Sequence, residues 1–299
     1  MSSNIDYNVE ELECNGISPM LDFTKYSNLK QLNINYKYIS ELPILPDSLL
    51  SLYCWKNNFK ELNNLPNGLI YLNCMGNLLT ELNNLPISLT SLICSENKLK
   101  HLNNLPSSIT YLDCSFCRLT QLNNLPNQLI HLKCIGNKLT ELNNLPSSLM
   151  SLNCSENKIT HLDNLPSNLT TLECGWNNIT YLDNLPNNLI TLNCGWNNIT
   201  YLDNLPSNLK DLECNRNKIT HLDYLPNSLI NLLCVNNYLT QLDYLPNSIN
   251  YLDCSWNNIT RLDNLPSNLT TLHCIENNIT KLDNLPKGLR LNVSLFSKR

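Results

Sequence analysis

Cysteine is the residue type whose spacing in this chain most directly suggests chemistry. Twelve of the fourteen cysteines recur at intervals of twenty residues. They are Cys54, Cys74, Cys94, Cys114, Cys134, Cys154, Cys174, Cys194, Cys214, Cys234, Cys254 and Cys274. At one inward position of successive parallel strands, neighbouring Cβ atoms lie about 4.8 Å apart, wider than the roughly 3.8 Å that a disulfide prefers. We therefore interpret them as a column of small, buried, reduced side chains.

Histidine offers little scope for catalysis or metal binding here. His101, His161 and His221 share one position at intervals of sixty residues, so about three strand spacings, roughly 15 Å, separate each from the next. The motifs G-x-S-x-G, H-E-x-x-H and G-x-G-x-x-G and the Walker A loop are absent from the sequence. We expect no enzymatic activity, no catalytic residue, no metal and no cofactor.

Carboxylates form a second row with the same period. The row consists of Asp163, Asp183, Asp203, Asp223, Asp243, Asp263 and Asp283, and Asn63, Asn83, Asn103, Asn123 and Asn143 occupy the same position earlier in the chain. Like charges about 5 Å apart repel one another, which leaves two interpretations. Each Asp accepts backbone hydrogen bonds in a turn, or cations such as calcium lie between them. The asparagines favour turn capping, because the position tolerates an uncharged residue.

These rows belong to a twenty-residue unit that repeats from Leu29 to Leu289. The unit reads L-x-x-L-x-C-x-x-N-x-I-x-x-L-x-x-L-P at Leu189–Pro206. Alternation around Leu192 and Cys194 predicts a strand whose core side is apolar, and Asn197 is expected to bond backbone groups where the chain turns away. Pro206 predicts an extended or polyproline-like return limb. Because one unit cannot bury enough apolar surface alone, the pattern predicts a stacked solenoid.

The core motif L-x-x-L-x-[LC]-x-x-N-x-[LI] resembles a leucine-rich repeat. The twenty-residue length and the Leu-Pro of the return limb are similar to the short bacterial class found in secreted effector proteins, over roughly Leu29 to Leu291. The resemblance implies a curved, right-handed stack with a parallel β-sheet on its concave face, extended return limbs on its convex face and little helix. It also implies a protein ligand on the concave face. Such effectors often carry a helical cap or a ubiquitin-ligase domain, for which we expect no room.

We divide the chain into three parts. Residues 1–28 are expected to form a degenerate N-terminal repeat or cap, residues 29–288 about thirteen regular repeats, and residues 289–299 a C-terminal capping strand with a basic tail. Leu289, Leu291, Val293 and Leu295 alternate with polar residues, which predicts a last strand shifted by one residue. Its bare edge predicts weak self-association, unless Lys298 and Arg299 blunt it.

Composition limits the partners and the compartment. The net charge of −5 and the pI near 5.5 give no basic surface for nucleic acid or an anionic membrane. The sequence has no apolar run long enough to cross a bilayer and no signal peptide, which predicts a cytoplasmic protein. The abundance of Asn, Ile, Lys and Tyr resembles repeat proteins of giant DNA viruses of amoebae, in which case the host cytoplasm is expected.

Aromatic and acidic residues at outward strand positions, and in the turn that follows, are the candidate partner-binding residues. They are Trp55, Tyr111, Phe116, Glu173, Trp176, Trp196, Asp211, Glu213, Asp253 and Trp256. Their charge favours a basic protein segment as the ligand. An alternative for Trp176 and Trp196 is that the two rings stack on each other and only stabilise the array.

These features predict a non-catalytic protein-interaction module that binds a protein partner on its concave face. A second hypothesis is a structural or calcium-stabilised array without a specific partner. A third, by family resemblance alone, is the substrate-recognition subunit of a ubiquitin ligase.

Overall fold

The computed structural model describes residues 6–14, 22–282 and 284–293. It forms two compact units, Met1–Leu149 and Met150–Arg299. Apart from one 3₁₀ turn at Phe23–Lys25, the regular secondary structure of the described residues is β-strand, one short strand in each repeat. No helix in the described ranges is long and apolar enough to span a membrane.

In the N-terminal unit, the described residues form seven parallel strands that pair in chain order. They are β1 (Glu11–Glu13), β2 (Gln31–Asn33), β3 (Ser51–Tyr53), β4 (Tyr71–Asn73), β5 (Ser91–Ile93), β6 (Tyr111–Asp113) and β7 (His131–Lys133). Each residue pairs with the one twenty positions further on, as Leu52 does with Leu72. The register therefore equals the sequence period, and equivalent side chains line up in columns.

The part of the C-terminal unit that the structure describes forms eight parallel strands, also in chain order. They are β8 (Ser151–Asn153), β9 (Thr171–Glu173), β10 (Thr191–Asn193), β11 (Asp211–Glu213), β12 (Asn231–Leu233), β13 (Tyr251–Asp253), β14 (Thr271–Cys274) and β15 (Arg290–Val293). The register is twenty residues up to β14, but Leu272 pairs with Leu291, an offset of nineteen. The last strand is thus shifted by one residue, as its alternation predicts. Leu295, Lys298 and Arg299 lie outside the described residues.

Leucine and cysteine build the core on one side of the strands. Leu192 and Cys194 are completely buried, whereas Thr191 and Asn193 are half-buried on the other side, as the period of two predicts. We call the side formed by the first and third residues of each strand the strand face. All fourteen cysteines are free and buried, and burial raises the pKa of the Cys154 thiol from 9.0 to about 12.

The asparagine of each repeat satisfies the backbone where the chain leaves the strand. The Asn197 Nδ2 group donates to the carbonyls of Cys194 and Cys174, both at 3.0 Å, and its Oδ1 accepts from the N–H of Ile179 at 2.9 Å. One side chain thereby joins two repeats. The predicted column of asparagine bonds is confirmed.

The same amide bonds recur along both units. The buried members of this asparagine ladder are Asn57, Asn77, Asn97, Asn137, Asn177, Asn197, Asn217, Asn237, Asn257 and Asn277. Cys117 replaces asparagine in one repeat, and its thiol donates to the Cys94 carbonyl at 3.5 Å. That rung is retained in a weaker form, because a thiol is a weak donor.

The return limbs contain no helix or strand in the described residues, but two local features bend them. From Asn64 onwards, the residue before Leu-Pro lies in the left-handed region, as Asn204 does with φ 55°. After the proline, the N–H of Leu209 donates to the Pro206 carbonyl at 3.1 Å and closes a turn.

Replacing one ladder asparagine should destabilise the protein strongly. Asn197→Ala removes one of two amide donors from each of the Cys174 and Cys194 carbonyls and leaves the buried N–H of Ile179 without its acceptor. Lost hydrogen bonds and an unsatisfied buried donor are costly. We expect the free energy of unfolding, measured by urea denaturation, to fall by about 3 kcal/mol. Asn178→Ala, at an exposed neighbouring position, is the matched control and should cost less than about 0.5 kcal/mol. Equal losses would contradict the ladder.

The buried thiols should make stability sensitive to alkaline pH. Burial raises the pKa of Cys154 and of Cys214 from 9.0 to about 12, so the folded protein holds these protons where the unfolded chain releases them. Their stabilisation is complete below pH 9 and is lost as the pH rises towards 12, by about 1.4 kcal/mol per pH unit and thiol. Between pH 9.5 and 10.5, Cys154→Ala with Cys214→Ala should reduce the fall in unfolding free energy by roughly 3 kcal/mol. An unchanged slope would argue against this coupling.

Candidate functional site

Histidine and cysteine form no metal centre in the described part of the chain. No group of three or more His, Cys, Asp or Glu residues there could hold a metal ion. The His221 ring is engaged locally, since its Nδ1 lies 2.9 Å from the Thr220 hydroxyl. The thiols are poor nucleophiles, because burial raises the pKa of Cys154 and of Cys214.

The aspartate row does not cap turns, so that interpretation is wrong for its described members. Their side chains are exposed or half-buried, and none accepts a backbone N–H bond within the described residues. Two have cationic neighbours, with His161 Nε2 3.9 Å from Asp163 and Arg261 Nε 3.4 Å from Asp263. Asp283 lies outside the described residues. The row is a solvated line of carboxylates.

The strand face of the C-terminal unit carries the predicted acidic residues. Glu173, Asp211 and Glu213 line one shallow groove of about 530 Å³, together with Asn193, Asn231, Leu233, Tyr251 and the edges of neighbouring strands. All three carboxylates are half-buried. None forms an ion pair with a described residue, so the groove presents uncompensated negative charge.

Side-chain amides hold two of these carboxylates in position. Asn193 Nδ2 donates to Glu213 Oε2 at 3.0 Å, and Asn215 Nδ2 donates to Glu213 Oε1 at 3.1 Å. Asn231 Nδ2 donates to Asp211 Oδ1 at 2.5 Å. Because neutral amides fix the geometry without neutralising the charge, the carboxylates remain available to a cation.

The other two predicted acidic residues differ from each other. Glu173 accepts a hydrogen bond from Asn153 Nδ2 and belongs to the groove. Asp253 accepts from the N–H of Ser255 at 3.1 Å, so it caps the turn after its strand and has less freedom to bind a partner. Sequence reasoning treated the two alike, although only the second has the Asp-x-Ser spacing of such a turn.

The aromatic candidates of the C-terminal unit lie on a second row, which we call the turn ridge. It consists of the second residue after the core cysteine of each repeat. Trp176, Trp196 and Trp256 lie there with φ of 55°, 56° and 58°, the left-handed region that few residues other than glycine occupy. This backbone turns the side chains away from the core.

Two tryptophans and one arginine stack on the turn ridge. The rings of Trp176 and Trp196 are 3.7 Å apart at 13°, and the Arg216 guanidinium lies 4.0 Å from the Trp196 ring centre. Trp176 remains 52% exposed and Trp196 38%. The predicted alternative, that these rings stack on each other, is therefore what the structure contains.

The three candidates of the N-terminal unit do not form one surface. Trp55 precedes the turn ridge by one residue and packs edge-on against Tyr36, with centroids 4.4 Å apart. Tyr111 lies on the strand face near His131. Phe116 lies on the turn ridge over Gly136, where an added Cβ would collide with the phenyl ring. The predicted residues thus fall into two rows, and their role in binding stays a prediction.

Two exposed tyrosines escaped the sequence analysis. Tyr224 and Tyr244 lie on the return limb and are 96% and 95% exposed. The signal that could have found them is their departure from the repeat, since asparagine occupies this position in most other units.

No protein-family model matches the chain, and no match is found among curated protein sequences. Solved structures do match. YopM from Yersinia enterocolitica WA-314 is 32% identical, covers 90% of this chain and 64% of its own, and gives a TM-score of 0.78. YopM from Yersinia pestis, a leucine-rich effector protein, is 28% identical over 89% of this chain and 88% of its own, with a TM-score of 0.70.

A third similar structure shares the cysteine pattern. The functional domain of InlJ from Listeria monocytogenes includes a cysteine ladder and is 28% identical, covering 92% of this chain and 64% of its own, with a TM-score of 0.65. The chain therefore spans slightly less than two thirds of the InlJ functional domain and of the Y. enterocolitica YopM chain. The twenty-residue period, the parallel strands and these likenesses agree: the protein is a leucine-rich-repeat solenoid, similar to bacterial leucine-rich effector proteins.

Proposed function

We propose that this protein is a non-catalytic module that binds a basic segment of a protein partner on the strand face of its C-terminal unit. The observation that carries the proposal is the acidic groove. Glu173, Asp211 and Glu213 are half-buried there without an ion pair to any described residue. Half-buried carboxylates gain most from a partner that supplies cations.

The fold supports an interaction role in general. The same fold occurs in the LRIM1/APL1C complex, at 20% identity and a TM-score of 0.67, a likeness of fold alone. A solenoid of this kind offers an extended surface with few loops. The groove of about 530 Å³ is shallow, which suits an extended segment better than an enclosed small molecule.

Preorganisation also favours binding. Asn193 and Asn215 hold both oxygens of Glu213, and Asn231 holds Asp211. Fixed carboxylates lose little side-chain entropy when a Lys or Arg arrives, so more of the interaction energy remains as affinity.

A structural role without a partner is the second candidate, and the stacked turn ridge is the observation that favours it. Trp176, Trp196 and Arg216 already stack on one another, so they stabilise the array whether or not a ligand binds. A calcium-stabilised array has less support, because the exposed aspartates of the row form no metal-binding group within the described residues. A ubiquitin-ligase recognition subunit rests on family resemblance alone.

Other expectations also remain proposals. Fourteen free thiols favour a reducing compartment such as the cytoplasm, and the viral origin rests on composition. The division at residues 28 and 288 awaits a test. Weak self-association through β15 also remains our proposal.

Removing the negative charge of the acidic groove should weaken binding of the protein partner. In affinity purification with chemical cross-linking from source-cell cytosol, we expect Glu173→Gln, Asp211→Asn and Glu213→Gln together to reduce recovery of the partner at least tenfold, because charge-assisted contacts are lost. The matched control is Asp163→Asn, Asp183→Asn and Asp203→Asn, which removes the same charge from the exposed row. If partner recovery falls equally in both variants, the loss is explained by net charge and not by the groove. If recovery is unchanged in the groove variant, the groove is not the binding site.

The stacked ridge should contribute to stability rather than to specificity. Trp176→Ala breaks the ring pair with Trp196 and should lower the free energy of unfolding by about 1 kcal/mol, with loss of the paired-indole signal in near-ultraviolet circular dichroism. Trp256→Ala is the control, since that ring is on the same ridge and 55% exposed. If Trp176→Ala leaves stability unchanged but abolishes partner recovery, the ridge belongs to the binding surface.

A further inference from the structure

The return limb of the C-terminal unit carries a second exposed surface. Tyr224 and Tyr244 stand at the same position of adjacent repeats and are 96% and 95% exposed. Neither side chain makes a ring contact or hydrogen bond with another described residue. We call them the tyrosine pair. By contrast, Trp176 and Trp196 of the same unit pack their rings against each other.

The other repeats indicate what this position requires structurally. Asn64, Asn84, Asn104, Asn124, Asn144, Asn164, Asn184, Asn204, Asn264 and Asn284 occupy it, all with positive φ. Tyr224 and Tyr244 keep the same backbone, with φ of 57° and 60°. Asparagine tolerates this region better than tyrosine does. Folding therefore gives no reason for tyrosine here, and its ring gains no burial.

Carboxylates flank the tyrosine pair in the repeat sequence. Asp223 and Asp243 directly precede the two tyrosines, and Asp203 and Asp263 occupy the repeats on either side. Arg261 lies 3.4 Å from Asp263, whereas Asp203, Asp223 and Asp243 form no ion pair with a described residue. The limbs of successive repeats are in direct contact here, since the N–H of Thr260 donates to the Thr240 carbonyl at 3.3 Å.

We propose that the tyrosine pair and the flanking aspartates bind an arginine-rich segment of a partner protein, at a site separate from the strand face. Guanidinium groups stack on aromatic rings and pair with carboxylates, and this surface offers both in two successive repeats. A row of carboxylates alone would attract any cation. The rings add selectivity for arginine, because its planar group stacks where the compact ammonium of lysine does not.

The test uses a fluorescent hexa-arginine peptide as the probe and anisotropy as the measurement, with the full-length protein. Every variant carries Glu173→Gln, Asp211→Asn and Glu213→Gln, so that the acidic groove does not contribute. Restoring the repeat residue by Tyr224→Asn with Tyr244→Asn should weaken binding roughly tenfold, from the loss of two cation–π contacts. The melting temperature should stay the same or rise, because the backbone strain is relieved.

Two further comparisons separate aromatic recognition from bulk charge. Hexa-lysine should bind more weakly than hexa-arginine, and the tyrosine variant should lose that preference. Transplanting the pair by Asn184→Tyr with Asn204→Tyr, beside Asp183 and Asp203, should strengthen hexa-arginine binding. The proposal is overturned if hexa-arginine does not bind, if the Tyr→Asn variant binds as tightly as its parent, or if that variant unfolds at a lower temperature, which would make the tyrosines structural.

Discussion

The asparagine ladder is the interaction on which the rest of the structure depends. Where the chain leaves each strand, backbone carbonyls are buried beyond the reach of the sheet, and buried polar groups without partners are costly. Asn197 resolves this by bonding carbonyls of its own repeat and of the preceding one. The bond therefore fixes the turn and the stacking distance together. Because the turn is fixed, every other residue of the repeat is held in a defined column.

The stacking of equivalent residues in columns limits which side chains the surface can carry. Because the strand register is twenty residues, residues at the same position of successive repeats are neighbours, at a spacing of about 4.8 Å. Identical residues must then tolerate one another, as the stacked indoles of Trp176 and Trp196 do. The acidic groove avoids the difficulty by alternating carboxylates with amides: Asn193 lies between Glu173 and Glu213 in the register. Asparagine thus supports the negative charge on the strand face as well as the backbone inside.

The sequence predicts the fold because the fold is periodic. Leucine, cysteine and asparagine keep the same roles in every repeat. A substitution in one repeat therefore does not obscure the pattern, because the other repeats still show which residue the position requires. The surface is not determined in this way. A positive φ at Trp176 or Tyr224 follows from the closure of a turn, and neither residue signals it, since tryptophan and tyrosine avoid that region. The signal lies in other repeats, where Gly136 and Asn204 occupy the equivalent positions. The capping role assigned to the aspartate row failed for a related reason: the adjacent left-handed residue makes the bend, and the carboxylate is left in solvent.

The repeats of one chain also serve as an internal comparison for function. The segments Cys174–Pro186 and Cys194–Pro206 are identical in sequence, yet Trp196 is more buried than Trp176, because Arg216 covers only Trp196. Two repeats of identical sequence can therefore differ in side-chain burial, because the following repeat covers them differently. Positions where a residue departs from its column without a gain in burial are the informative ones, since packing does not account for them. By this criterion the return limb carries information as specific as that of the strand face.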